Sequence, residues 1–122
     1  MVSFVKLDNG FEVIEVANSL STAKIALQGA HIFSFKPRTK DELLWVSKAS
    51  AFEHGIAIRG GIPICWPWFG FADDKTLPQH GFARTVLWEF EGSQDDEKLF
   101  FKLTIDGLAA KLTITITDKL TL

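Results

Sequence analysis

The sequence predicts an all-β protein, and three observations support this. Short runs rich in β-branched and aromatic residues alternate with turn signals near both ends of the chain. No segment shows a sustained 3.6-residue hydrophobic period, which disfavours helix. The 122 residues are 47% apolar and include 11 Phe and 4 Trp, which excludes intrinsic disorder and suits a packed core. We therefore expect residues 1–122 to form one domain, or part of one.

Residues 1–46 predict a series of strands. The turn signal Asp8-Asn9-Gly10 separates the first two, because Asn and Gly tolerate positive φ. A break at Gly29 separates the next two, and in the second of these Ile32 is expected to face opposite Phe33 and Phe35. The predicted strands cover residues 2–7, 11–16, 22–28 and 31–36, and a short apolar run follows at 43–46.

Residues 86–122 predict three further strands, at 86–91, 99–105 and 111–117. Polar turns are expected at residues 92–97 and at Asp106-Gly107. The last strand has the clearest alternation in the chain, with Leu112, Ile114 and Ile116 on one face and threonines on the other. We expect that threonine face to be exposed.

The middle segment, residues 47–85, is different in composition. Five of the nine glycines and three of the four prolines lie between residues 55 and 81. A long irregular segment inside a compact domain is usually functional or disordered, and this one is too aromatic to be disordered. The segment is therefore where a functional site is expected.

Three motifs in this segment have both a structural and a functional interpretation. Arg59-Gly60-Gly61 could let the backbone approach a phosphate or carboxylate, or could form a glycine bulge with a structural salt bridge. The aromatic run 65–71 could stack on a sugar, although core packing is favoured. Gln79-His80-Gly81-Phe82-Ala83-Arg84 groups an amide, an imidazole and a guanidinium around a turn, which favours a polar pocket. His31 is interpreted as a strand residue and His54 as a loop residue.

Other classes of function are disfavoured. The net charge of −2 does not support a nucleic-acid or anionic-lipid surface. The single cysteine, Cys65, excludes an intramolecular disulfide and fits a reducing, cytoplasmic compartment. The histidines and Cys65 have no metal-ligand spacing, and there is no GxSxG, P-loop or GxGxxG motif. No apolar run approaches the length of a membrane span. We therefore expect neither a metal nor a membrane or nucleic-acid partner.

Several motifs taken together resemble the glucose-6-phosphate 1-epimerases (hexose-6-phosphate mutarotases) of the aldose 1-epimerase group. The resemblance covers the N-terminal part of that family and is clearest over residues 29–91. Its motifs occur in this order: Gly29-Ala30-His31, Phe33-Ser34-Phe35-Lys36-Pro37, Glu42-Leu43-Leu44-Trp45-Val46-Ser47, Ala57-Ile58-Arg59-Gly60-Gly61-Ile62-Pro63-Ile64-Cys65-Trp66-Pro67, Phe69-Gly70 and Leu77-Pro78-Gln79-His80-Gly81-Phe82-Ala83-Arg84.

The resemblance implies an antiparallel β-sandwich, the N-terminal part of a galactose-mutarotase-like supersandwich, that interconverts hexose 6-phosphate anomers without a cofactor. It implies that Arg59 and Arg84 lie near the sugar phosphate and that Gln79 and His80 line the sugar site. The family's general-acid histidine and general-base glutamate lie in motifs further along than this chain reaches. The resemblance therefore implies substrate-binding residues and no catalytic residue here.

We accordingly expect a truncated mutarotase-like protein, inactive alone, that retains weak sugar-phosphate binding. A partial sandwich leaves an uncovered sheet face and an unpaired edge, which predicts a homodimer or larger homo-oligomer. Residues 111–117 and 118–122 are the expected contact. Three alternatives stay open: a homodimer made active by His80 of each chain, a half-enzyme completed by a separate C-terminal partner, and an experimental or gene-model truncation.

Overall fold

The computed structural model describes residues 1–122 and contains two four-stranded antiparallel sheets. Strands follow one another in chain order within each sheet, so neighbouring strands are joined by short hairpins. The first sheet consists of β1 (Val2–Lys6), β2 (Glu12–Ala17), β3 (Ser21–Ala26) and β4 (His31–Pro37). The second sheet consists of β5 (Glu89–Gln94), β6 (Lys98–Ile105), β7 (Leu108–Ile116) and β8 (Leu120–Thr121).

The two sheets pack face to face around one core, which confirms the predicted β-sandwich. Period-2 alternation places Ile14 and Ile25 of the first sheet in the same buried cluster as Phe101 and Ile114 of the second. Asn18 also links the sheets, because its Nδ2 donates to the carbonyl oxygens of Asp96 (2.9 Å) and Ile116 (3.0 Å). A smaller apolar cluster lies on the opposite face of the first sheet and contains Phe11, Val13, Ala26 and Ile58.

Two of the predicted hairpin turns, Asp8-Asn9-Gly10 and Asp106-Gly107, are present as predicted. The β6–β7 hairpin closes through Asp106 and Gly107, whose φ angles of +49° and +78° are those of a two-residue turn matched to the strand twist. At the first hairpin, the Gly10 N–H donates to the Leu7 carbonyl (2.8 Å), as the Asp8-Asn9-Gly10 signal predicts. The threonine face of β7 is exposed at Thr113, as expected.

Strand details differ from the sequence prediction in several places. β7 begins at Leu108 instead of residue 111, and β8 (Leu120–Thr121) is a strand that the sequence pattern does not predict. Ile32 and Phe35 both enter the main core, because the β3–β4 register shifts between Lys24 and Ile25 and a bulge reverses the alternation. The predicted strand at 86–91 begins at Glu89 instead, after a 3₁₀ turn at Ala83–Thr85, and continues through the predicted turn to Gln94. The run 43–46 contains no strand beyond an isolated bridge.

Residues 38–82 form no regular strand. One isolated bridge, between Ile32 and Ile62, attaches this segment to β4, and two others, Val46 with Gly60 and Trp66 with Gly81, lie within the segment. No helix in the structure has the length and apolar character that crossing a membrane requires.

The irregular segment lies against the first sheet as an ordered loop layer, and it carries the residues that the sequence predicts for a site.

Candidate functional site

Arg59 lies on the loop layer with its backbone held and its side chain free. Its N–H donates to Ser50 Oγ (3.0 Å), and its carbonyl accepts from the Ser47 N–H (2.8 Å) and from Ser50 Oγ (3.0 Å). The guanidinium is exposed and forms neither an ion pair nor a hydrogen bond with the protein. The structural salt bridge considered for Arg59 is absent, so its charge is available to an anion.

The two glycines after Arg59 allow close contact with protein backbone. A Cβ on Gly60, whose φ is +125°, would lie 2.3 Å from the Trp45 carbonyl oxygen, and one on Gly61 would lie 2.3 Å from that of Ile32. No larger residue fits either position without moving backbone. Of the two interpretations that the sequence leaves open, these contacts favour the structural one for the glycines: they let the loop pair closely with β4 and with Trp45.

The His80 ring is oriented by a backbone pair. The His80 N–H donates to the Gly70 carbonyl (2.7 Å), and His80 Nδ1 accepts from the Gly70 N–H (2.9 Å). Since Nδ1 is an acceptor, the neutral ring carries its proton on Nε2, which has no partner within the protein. The exposed ring of Phe69 packs against the imidazole with centroids 4.8 Å apart. His80 therefore presents an oriented Nε2–H donor beside an aromatic surface.

Arg84 is a half-buried member of the 3₁₀ turn that follows His80. Its Nη2 donates to the Gln79 carbonyl oxygen (3.2 Å), whereas its Nε is buried without a hydrogen-bond partner. The Gln79 side chain is exposed and makes no hydrogen bond, so it is the backbone of Gln79 that contacts Arg84. No carboxylate pairs with Arg84. The one ion pair in the structure joins the N-terminus to Asp96.

His31, the first residue of β4, links the two arginine-bearing segments. Its side chain is 1% exposed, and Nε2 donates to the Gly60 carbonyl oxygen (2.6 Å). Burial, with a smaller contribution from the positive charge of Arg84, holds the pKa of His31 below its ordinary value, although the Gly60 bond opposes this. The interpretation of His31 as a strand residue is correct. Its link between Arg59-Gly60 and Arg84 was not predicted.

The aromatic run 65–71 divides between packing and exposure. Trp66 and Trp68 are half-buried, and Trp68 packs edge-to-face on Phe82 with centroids 5.1 Å apart. Phe69 is 80% exposed and Phe71 is 79% exposed, so core packing, the interpretation favoured from the sequence, is wrong for these two. The sequence feature that could have distinguished these exposed phenylalanines from the half-buried tryptophans is Gly70, which lies between them and pairs through its backbone with His80.

The site residues lie on an open surface. None of the cavities in the structure is lined by Arg59, Gln79, His80 or Arg84. No group of three or more His, Cys, Asp and Glu side chains converges as metal ligands would. These residues offer two guanidinium groups without carboxylate partners and one oriented imidazole N–H. Chemically, they can attract an anion and donate hydrogen bonds to a neighbouring hydroxyl or ring oxygen.

Comparisons with known proteins agree with the resemblance seen in the sequence. Residues 12–122 match the family model of aldose 1-epimerase. The chain is 46% identical, over 114 residues, to an Escherichia coli protein named as a glucose-6-phosphate 1-epimerase, covering 93% of this chain and 36% of that protein. A Salmonella typhimurium protein of the same name is 46% identical over 86 residues, which are 70% of this chain and 29% of that protein.

Solved structures give the same result for the fold. The Salmonella typhimurium protein YeaD, described as a mutarotase, superposes with a TM-score of 0.86 at 37% identity, over 95% of this chain and 43% of its own. HI1317 superposes with a TM-score of 0.81 at 35% identity, over 98% of this chain and 49% of its own. The chain thus spans about a third of the length of the curated relatives and less than half of these structures.

Proposed function

Because the chain belongs to the aldose 1-epimerase family, we propose that its 122 residues supply one side of a hexose-6-phosphate site and do not catalyse anomer exchange by themselves. Arg59 and Arg84 attract the phosphate, and His80 donates its Nε2–H to the sugar. The observation that carries this proposal is the pair of guanidinium groups, neither of which is neutralised by a carboxylate. A phosphate dianion is the ligand whose geometry and charge such forks match best.

The chemistry of anomer exchange explains why binding and catalysis are separated here. Ring opening needs a base that removes the proton from the C1 hydroxyl and an acid that protonates the ring oxygen. His80 is the one group at this site that could exchange a proton, and no carboxylate hydrogen-bonds to it. The site therefore has at most one of the two groups that the reaction requires.

Binding is tested by titrating the chain with glucose 6-phosphate and following the equilibrium by calorimetry or NMR. We expect weak binding, with Arg59→Ala and Arg84→Ala each weakening it about tenfold or more, since a charge-assisted hydrogen bond contributes roughly 1.5–3 kcal/mol. Glucose without the phosphate should bind more weakly still.

The matched control is Arg38→Ala, which removes the third arginine of the chain. Arg38 follows β4 at the end remote from His31, and its Nη2 donates to the Asn18 carbonyl (3.3 Å). It should leave the affinity unchanged. Equal affinities of the wild type, Arg59→Ala and Arg84→Ala would reject the proposed phosphate site.

Catalysis is tested by measuring anomer exchange of glucose 6-phosphate with and without the chain. We expect the spontaneous rate, because loss of one proton-transfer group typically costs about 10²–10⁴-fold and both are needed. Exchange above the spontaneous rate that is lost in His80→Ala would contradict the proposal and favour an active homodimer. Exchange that appears only after addition of a polypeptide carrying the remaining family motifs would identify the chain as a half-enzyme.

A further inference from the structure

His31 is a polar ring at a fully buried position of the first sheet. It begins β4, is 1% exposed and is followed by the fully buried Ile32. A buried polar group is costly unless it is hydrogen-bonded, and the His31 ring forms one such bond, from Nε2 to the Gly60 carbonyl oxygen at 2.6 Å. The only partner of this buried imidazole is therefore the peptide that follows Arg59.

The contact with Gly60 fixes the segment that presents Arg59. The Gly61 N–H donates to the Trp45 carbonyl (2.8 Å), and the Ile62 N–H donates to that of Ile32 (3.0 Å). A Cβ on Gly61 would lie 3.0 Å from His31 Nε2, so the ring packs directly against this backbone. The carbonyl of Gly60 is oriented by His31 alone among side chains.

The turn that precedes His31 is attached to the segment that presents Arg84. The Gly29 N–H donates to the Val86 carbonyl (2.8 Å), and a Cβ on Gly29 would lie 2.9 Å from the Arg84 carbonyl oxygen. His31 Nδ1 and Arg84 Nε are both buried without a partner, and the first is an acceptor and the second a donor. The positive charge of Arg84 also contributes to lowering the pKa of His31, after burial of the ring.

We propose that His31 is a positioning residue: its ring holds the Gly60 peptide beside β4, next to the turn whose Gly29 contacts the Arg84 backbone, so that Arg59 and Arg84 can contact one anionic group. This proposal rests on the proposed phosphate site and adds the residue that aligns its two halves. The ring must be neutral with its proton on Nε2. A protonated ring would place a second cation beside Arg84 and bury an Nδ1–H that has no acceptor.

The test compares two substitutions at His31 with a matched control elsewhere. His31→Leu fills the space of the imidazole but cannot donate a hydrogen bond to the Gly60 carbonyl oxygen, whereas His31→Gln keeps an N–H donor. The control, Gln28→Leu, removes another buried polar side chain that supports the loop layer. Gln28 Nε2 donates to the Ile56 carbonyl (2.9 Å) and its Oε1 accepts from the Gly55 N–H (2.8 Å), so its side chain supports loop positions other than Gly60.

The readouts are affinity for inorganic phosphate and NMR signals of the Gly60 amide and Arg84 Nε–H. We expect His31→Leu to shift both signals and to weaken phosphate binding about tenfold, the effect of about 1.4 kcal/mol. His31→Gln should recover most of the affinity, and Gln28→Leu should change neither signal. A folded His31→Leu chain whose Gly60 and Arg84 signals match the wild type would overturn the proposal.

A measurement on the wild type keeps the proposal testable if His31→Leu does not fold. Nitrogen NMR of the imidazole at pH 7 should show a proton on Nε2 and none on Nδ1; a protonated Nδ1 would reject the proposal. Failure of the proposed function gives a different result. If phosphate does not bind the wild type but His31→Leu still shifts both signals, the positioning role is supported and the ligand is rejected.

Discussion

Arg59 and Arg84 show how much of the site is decided at the scale of single residues. Their charge and forked geometry are readable in the sequence, but their lack of carboxylate partners is not. The same holds for His80, whose free Nε2–H depends on the pairing of its Nδ1 with the Gly70 N–H. Residue type indicates which chemistry is possible, and local contacts decide which atoms remain available.

The lowered pKa of His31 predicts an acid-sensitive stability. The unfolded chain takes up a proton on His31 near its ordinary pKa of 6.5, whereas the folded chain does so only at lower pH. Between these two values the unfolded state binds more protons, so the free energy of unfolding decreases as the pH falls below about 6.5. Denaturant unfolding measured between pH 7.5 and 5 should show this decrease.

The control for this pH dependence is His31→Gln, which keeps a donor for Gly60 but does not titrate. Its unfolding free energy should fall less steeply between pH 6.5 and 5 than that of the wild type. The other two histidines, His54 and His80, are unchanged in the variant, so the comparison isolates the buried ring of His31. Equal slopes for the two proteins would show that protonation of His31 does not oppose folding.

At the scale of elements, local patterns predict strands better than they predict loops. In β7 the predicted alternation is confirmed, because Ile114 and Ile116 are buried. Alternating apolar and polar residues indicate a strand with one face buried. The bulge in β4 cannot be predicted from the alternation of one strand, because the register shift depends on how β3 and β4 pair.

Glu42 illustrates how the loop layer joins the sandwich. Its carboxylate accepts hydrogen bonds from Ser34 Oγ and from the N–H groups of Phe35 (2.8 Å) and Leu44 (3.0 Å). Partial burial opposes ionisation, but these bonds outweigh it and hold the pKa of Glu42 below its ordinary value. The apolar run 43–46 is held beside β4 as a loop, although its composition would suit a strand.

At the scale of the whole molecule, the sandwich is incompletely covered. Trp45, Phe69 and Phe71 are each more than 70% exposed, and β8 pairs with β7 only at Thr115 and Ile116. The rest of the outer edge of β7 is therefore unpaired along its backbone. Exposed apolar groups and an open strand edge both favour association.

We propose that the isolated chain covers this edge by forming a homodimer through β7 and the tail that follows it. Light scattering after size exclusion should give a mass twice that of the 13.6 kDa chain. Thr113→Glu should shift the equilibrium toward monomer, because like charges on antiparallel strands paired across a two-fold axis repel.

The control for the homodimer is Thr22→Glu, which adds the same charge at an exposed position on β3 of the other sheet. It should leave the mass unchanged. A wild-type mass equal to one chain would reject self-association. Equal dissociation by Thr113→Glu and Thr22→Glu would place the contact elsewhere.

Local pattern and residue chemistry are enough to predict the all-β class, most strand positions and the family. They also identify the candidate site residues Arg59, Gln79, His80 and Arg84. The β4 bulge, the exposed Phe69, the open surface and the link through His31 appear only in the folded chain. All of them depend on contacts between segments distant in the chain. Such contacts depend on how strands register and pack, which no local pattern encodes.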